Sequence, residues 1–170
     1  MSDVFLLPAF RFRVTLTRVE GGGTPPKPWD PDVLDTEGHF AECSGLELEA
    51  DVKDYLEGGR NDGIVRRVGR VKLVPIVLKR GMFAVDAHSV ANYDLWAWLT
   101  RMVSGALPVT RYDGRIQIYD PALRTPLTTW TFDRGLPQKV AGPSLNAKTG
   151  EIAIEELHIV HEGLRMEIPR

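Results

Sequence analysis

Apolar and polar residues first alternate between Phe10 and Arg18, where Phe10, Phe12, Val14 and Leu16 interleave with Arg11, Arg13, Thr15 and Thr17. A period of two puts one set on each face and predicts a half-buried strand. The ladder cannot run on through Gly21-Gly22-Gly23-Thr24-Pro25-Pro26-Lys27-Pro28, because glycine loosens the backbone and proline has no N–H to donate. Residues 21–39 therefore read as one long loop, with Trp29 as an anchor to the surface or to a partner. A second strand is predicted from Phe40 to Glu49, kinked at Gly45, and Val52 to Leu56 continues it. Residues 57–70 carry Gly58, Gly59, Gly63 and Gly69 with Arg60, Arg66, Arg67 and Arg70, which reads as a basic loop or hairpin tip. Val71 to Lys79 is strand-like, with Pro75 marking an edge or a bulge.

The period then changes. Leu95, Trp96, Leu99, Met102 and Val103 recur at helical spacing and form one stripe, with Trp98 off it. Either Asn92 or Asp94 suits the helix start, and Gly105 followed by Pro108 ends it. Trp98 reads as a second packing surface or as a sign of a tilted core helix. Strand signals return at Arg115 to Tyr119, after a Tyr112-Asp113-Gly114 turn, and at Leu127 to Asp133. Pro137 to Leu145 is extended and broken at Gly142-Pro143. Glu151 to His161 is a long strand whose apolar positions imply a register shift near Glu155-Glu156, and Leu164 to Ile168 forms a last short one. Strands, one helix and strands again predict a mainly β fold, an antiparallel β-barrel or sandwich with one flanking α-helix. Strand and helix do not alternate, which argues against a doubly wound nucleotide-binding fold.

Composition narrows the function classes. The chain has 170 residues, enough for a single domain. Its 21 basic and 23 acidic residues leave a formal net charge of -2, which argues against nucleic-acid binding through bulk positive charge. Apolar runs are too short for a membrane-spanning helix, so no stable membrane insertion is expected. The first residues, Met1 to Pro8, lack the basic and apolar regions of a secretory signal. Cys43 is the one cysteine, so no intramolecular disulfide framework exists and a reducing cytosol is the simplest folding compartment.

Candidate chemistry is sparse. His158 and His161 lie three apart on a strand and point to opposite faces, which is unsuitable for a shared metal. Cys43 lacks an evident base to activate it. Asp30, Asp32, Asp35 and Glu37 do not follow calcium-loop spacing, and the triple glycine lacks the phosphate-loop ending. No cofactor, metal or catalytic residue is expected, which favours a binding or assembly protein. Residues 51–70 resist a monomeric reading. They are poor in large apolar residues after Leu56, yet they sit between two strong strands, as a mobile loop or as an arm ordered by a neighbour.

Several segments, in order, resemble one family. Phe40-Ala41-Glu42-Cys43-Ser44-Gly45-Leu46-Glu47-Leu48-Glu49 is similar to an F-x-E-V-S-G-L-x-x-E stretch, and Tyr55-Leu56-Glu57-Gly58-Gly59 to a following Y-x-E-G-G. Val71 to Arg80-Gly81 resembles a strand ending in L-K-R-G. Trp130-Thr131-Phe132, Pro137, Lys139, Gly142-Pro143 and Leu145-Asn146-Ala147 resemble W-x-F … P-x-K … G-P-x-L-N-A, and His161-Glu162-Gly163-Leu164 resembles H-E-G-L. These stretches belong to phage tail tube proteins of the myovirus type and to inner tube proteins of contractile injection systems, with a tail-tube/Hcp-like fold.

The resemblance, over residues 10 to 165, implies a single structural domain without catalysis. It implies a hexameric ring, stacking of rings into a hollow tube, and sheets joined between neighbours to line the lumen. An arm at about 51–70 would help contact adjacent subunits and rings. On this basis the expected assembly residues are Tyr55, Glu57, Gly58, Gly59, Arg60, Arg66, Arg67, Arg70, Lys79, Arg80 and Glu162. The implied partners are further copies of the chain, a sheath protein, baseplate or tube-initiator proteins, and a cargo protein or DNA in the lumen. Assembly would take place in the cytoplasm, before incorporation into a virion or contractile particle. Residues 21–39 look like an insertion relative to the shortest tube proteins. A tube initiator at the baseplate is the alternative within the class, and a monomeric ligand-binding β-barrel is the alternative outside it.

Overall fold

The computed structural model describes residues 7, 9–19, 37–38, 40–56, 58, 63–84, 91–122, 125–148 and 150–167. The strands are β1 (Phe12–Arg18), β2 (Glu37–Gly38), β3 (Phe40–Ser44), β4 (Leu48–Tyr55), β5 (Val65–Leu73) and β6 (Ile76–Gly81). Helix α1 (Asp94–Val103) follows, then β7 (Tyr112–Tyr119), β8 (Pro126–Ala141), β9 (Ile154–Val160) and β10 (Gly163–Glu167). The main sheet runs β2-β1-β7-β8-β9-β6-β3, with β10 also on β8, while β4 and β5 pair only with each other. Every pairing is antiparallel, and the fold is the predicted mainly β one with a single helix among the described residues.

Strand β8 joins two halves of the sheet. Its first part pairs with β7 and β10, and its second part, from Leu136, pairs with β9. Between them stands Arg134, in the left-handed region at φ 52°. Val14, Leu16, Ile116 and Phe132 from one half meet Ile76, Leu78, Leu157 and Ile159 from the other in one core. The chain makes close approaches where a side chain would not fit. A Cβ on Gly114 would lie 1.9 Å from the Phe132 ring, and this allows the largest core side chain of β8 to lie against β7.

The structure corrects several expectations. Tyr112-Asp113-Gly114 is not a turn; it opens β7, and Tyr112 is fully buried. Leu127–Asp133 and Pro137–Ala141 belong to one 16-residue strand, because the change of direction is absorbed at Arg134 without breaking the ladder. Val71 to Lys79 is two strands, divided at Val74-Pro75. The register of β9 against β6 does not shift near Glu155-Glu156: Ile154 faces outward and Glu155 inward. On α1 the inward face is Asp94, Leu95 and Trp98, whereas Trp96 and Val103 are exposed. Trp98 is drawn in because its Nε1 donates to Thr110 O at 2.9 Å and its ring meets Tyr112 edge-on at 4.8 Å. Neither expected capping residue is the N-cap, which is Tyr93 and makes no side-chain cap; Asn92 and Asp94 flank it, with Asn92 Oδ1 accepting from Asp94 N at 3.0 Å and Asp94 Oδ1 from Leu95 N at 2.7 Å. Most of the 21–39 loop, including Trp29 and its three aspartates, lies outside the described residues, as does Ile168.

Candidate assembly surface

The arm is the hairpin β4–β5. It leaves the body at Gly45, which has φ 82°, and returns at Pro75. A Cβ on Gly45 would lie 2.2 Å from Pro75 O, so glycine lets the two roots of the arm cross closely. Pairing runs from Leu48↔Leu73 to Tyr55↔Val65 with one irregularity between Ala50 and Val52, where Asp51 faces both Gly69 and Arg70. This bulge decides the chemistry of the arm. Beyond a bulge the alternation resumes one residue later, so Leu48, Ala50 and Val52 share a face with Val71 and Val68. Leu48, Val52, Val68 and Val71 are 60%, 53%, 77% and 59% exposed, so this apolar face is uncovered in the single subunit.

The opposite face is polar. Lys72 Nζ lies 3.0 Å from Glu49 Oε1, and the Arg67 guanidinium stacks 4.7 Å from the centre of the Tyr55 ring. On the apolar side, two residues beyond Val52 and Val68, the register partners Asp54 and Arg66 pair at 3.3 Å near the tip. These pairs are exposed and contribute little to stability. An isolated two-stranded hairpin is marginal in water, and this one shows neighbours an apolar strip.

The expected assembly residues divide by location. Tyr55, Arg66, Arg67 and Arg70 lie on the arm and Gly58 at its tip, all exposed. Glu57, Gly59 and Arg60 lie outside the described residues. Lys79 is on the outer face of β6, where its Nζ meets Glu42 at 2.8 Å. That hydrogen bond holds the Lys79 pKa above its ordinary value. Glu162 sits between β9 and β10 and bridges Arg111 at 2.8 Å and Arg134 at 2.9 Å within its own subunit.

Arg80 is misplaced in that set. It is 1% exposed, with Nε donating to Glu155 Oε1 at 2.6 Å and its terminal nitrogens to Asp94. The rings of Phe40 and Phe83 lie 5.8 and 5.3 Å from its guanidinium carbon. Burial opposes the charge, but hydrogen bonds and charge from Asp94 and Glu155 outweigh it, and the pKa stands above the usual arginine range. Arg80 therefore ties α1 to β6 and β9 inside the subunit and is closed to a neighbour. In the sequence Asp94 reads only as a helix start and Glu155 only as part of a register shift, and no local pattern pairs either with Arg80.

Among the described residues no group of acidic, histidine and cysteine side chains is arranged to hold a metal. His161 is buried against Phe132 and its Nε2 lies 3.1 Å from Val74 O, while His158 meets Glu156 on the outer face. Burial pushes the Cys43 thiol up to about 12, which leaves it a poor nucleophile. No helix among the described residues is long and apolar enough to cross a membrane.

The sheet also has open edges. Strand β1 is paired on its outer side only at Val14 and Thr15, and β10 carries no neighbour on its far side among the described residues. A β-sandwich with open edges, a buried charge cluster and an apolar arm is built like a self-associating structural subunit. The chain belongs to the family of T4-like virus tail tube protein gp19, which matches residues 8–165. It is a structural subunit of the tail tube kind.

Solved structures share the fold. A chain from the sheath–tube complex of PVC, an extracellular contractile injection system, is 22% identical with a TM-score of 0.73, covering 97% of this chain and 93% of that one. A chain from the baseplate of the anti-feeding prophage is 23% identical with a TM-score of 0.74, covering 99% and 98%. A type six secretion system protein is 12% identical with a TM-score of 0.56, covering 93% and 83%. A search of curated proteins found no match.

Proposed function

We propose that the chain acts as one domain that closes into hexameric rings, which stack into a hollow tube inside a contractile sheath. The observation that carries this reading is the apolar face of the β4–β5 arm, exposed in one subunit and suited to burial on another. Strand directions support ring closure. β1, β7, β8 and β10 alternate in direction, so β10 of one subunit set beside β1 of the next, in place of the two-residue β2, continues an antiparallel ladder. Head-to-tail contacts of this kind form closed rings when the rotation permits.

In that ring the polar row Thr15, Arg115, Thr131 and Arg165 lies on the solvent face of the joined sheets and lines the passage. The subunit is passive and has no catalytic step: it encloses a cargo protein or DNA while the sheath supplies the motion. Sheath and baseplate proteins are its other partners, met after assembly in the cytoplasm. Negative-stain images and sedimentation of the purified protein test the reading. Rings and rods support it, and a monodisperse monomer at high concentration, with sheath and baseplate proteins present, overturns it. Copy number then separates the tube subunit, at on the order of hundreds per particle, from an initiator at about six, a single ring.

A further inference from the structure

The bend of β8 is held by a clamp. Arg134 is the one non-glycine residue with positive φ among the described residues, at 52°. Its N–H donates to Asp113 Oδ1 at 2.7 Å, and its C=O accepts from Arg111 Nη1 at 3.1 Å. Glu162 closes the arrangement from the β9–β10 junction. Its Oε1 takes Arg111 Nη1 at 2.8 Å, its Oε2 takes Arg134 Nε at 2.9 Å, and its own N–H donates to Asp133 O at 3.0 Å. Glycine adopts this conformation without steric cost, yet the adjacent Gly135 does not occupy it. A Cβ on Gly135 would lie 2.7 Å from the Phe132 ring and 2.8 Å from Ile159, so glycine is needed there for space. The left-handed position thus falls to an arginine, and its side chain is drawn into the clamp.

We propose that Glu162 is a positioning residue: by holding Arg111 and Arg134 together it sets the angle between the two halves of the sheet, and so the curvature of the ring. The second half of this statement rests on the tube reading. Glu162 and Arg134 are 52% and 51% exposed at the side chain, and exposed pairs add little to stability. Loss of the clamp therefore alters shape more than folding.

Glu162→Gln is expected to melt like the wild type but to give rods of mixed diameter in electron micrographs. Adding Arg134→Gly, which frees the bend from left-handed strain, is expected to restore one diameter. Uniform wild-type rods from Glu162→Gln overturn the proposal. So does failure of Arg134→Gly to rescue, since that outcome makes Glu162 a contact to the neighbouring subunit. If the wild type forms no rings the tube reading falls, and amide exchange decides the bend. Glu162→Gln should then raise exchange of the Arg134 and Glu162 N–H groups at least about tenfold, and unchanged exchange would overturn the clamp.

Discussion

Arg80 on β6 and Glu155 on β9 are register partners whose side chains meet inside the fold, Nε to Oε1 at 2.6 Å. Asp94, at the first turn of α1, takes the other end of the same guanidinium. One buried cation thus holds two carboxylates from different elements and fixes the helix against the sheet.

Removing that cation alone leaves both carboxylates buried. Arg80→Met is expected to destabilise the subunit by about 3–5 kcal/mol, the usual cost of stranding a buried partner. Replacing Arg80, Asp94 and Glu155 together with apolar residues should recover most of that loss. Urea unfolding of both variants gives the comparison. A single substitution costing under about 1 kcal/mol would show that the cluster is solvated rather than buried.

The arm separates folding from assembly. Val68→Asp and Val52→Asp lie on an exposed face, so each should change stability by no more than about 0.5 kcal/mol. Both should abolish rods, because a carboxylate would then have to be buried against the neighbour. Lys72→Ala removes only the exposed pair to Glu49 on the opposite face and should leave rods intact. Rod formation by the aspartate variants would mean that the apolar face of the arm is not the contact.

Gly45 controls where the arm points. An alanine there meets Pro75 O at 2.2 Å and must also hold a φ of 82°. Gly45→Ala is expected to cost about 1–3 kcal/mol and to impair assembly more than the melting temperature suggests, since the arm root must move. The same substitution at Gly58, where a Cβ meets nothing within 4 Å, is the control and should be silent.

Cys43 gives a pH test. Desolvation raises its pKa from the ordinary 9.0 to about 12, so the folded protein keeps a proton that the unfolded chain loses above pH 9. The thiol has no effect on stability below pH 9, and stability falls as pH rises from 9 towards 12. Alkylation at pH 8 should therefore be slow in native buffer and fast in denaturant. Equal rates would place the thiol in water.

Local pattern determined much of this protein. Alternation marked β1, the core of β7, and Trp130–Phe132 of β8, because a period of two is readable wherever one face is wet. The change to helical spacing marked α1 in the same way. A break at Gly45 was legible from the glycine, but the tertiary structure makes it more than a kink: Phe40–Ser44 and Leu48–Tyr55 fall in different sheets rather than in one strand. Only the tertiary structure decided which charged residues turn inward. Glu155 breaks the apolar count on β9 because Arg80 waits opposite it, and no local pattern reveals a partner 75 residues away. It also decided that Trp98 rather than Trp96 enters the core, since the Thr110 carbonyl that receives its N–H comes from the chain beyond the helix. The uncovered face of the arm has the same origin: one bulge opposite Asp51 realigns two strands whose sequences, read singly, mix charged and apolar residues without a continuous alternation.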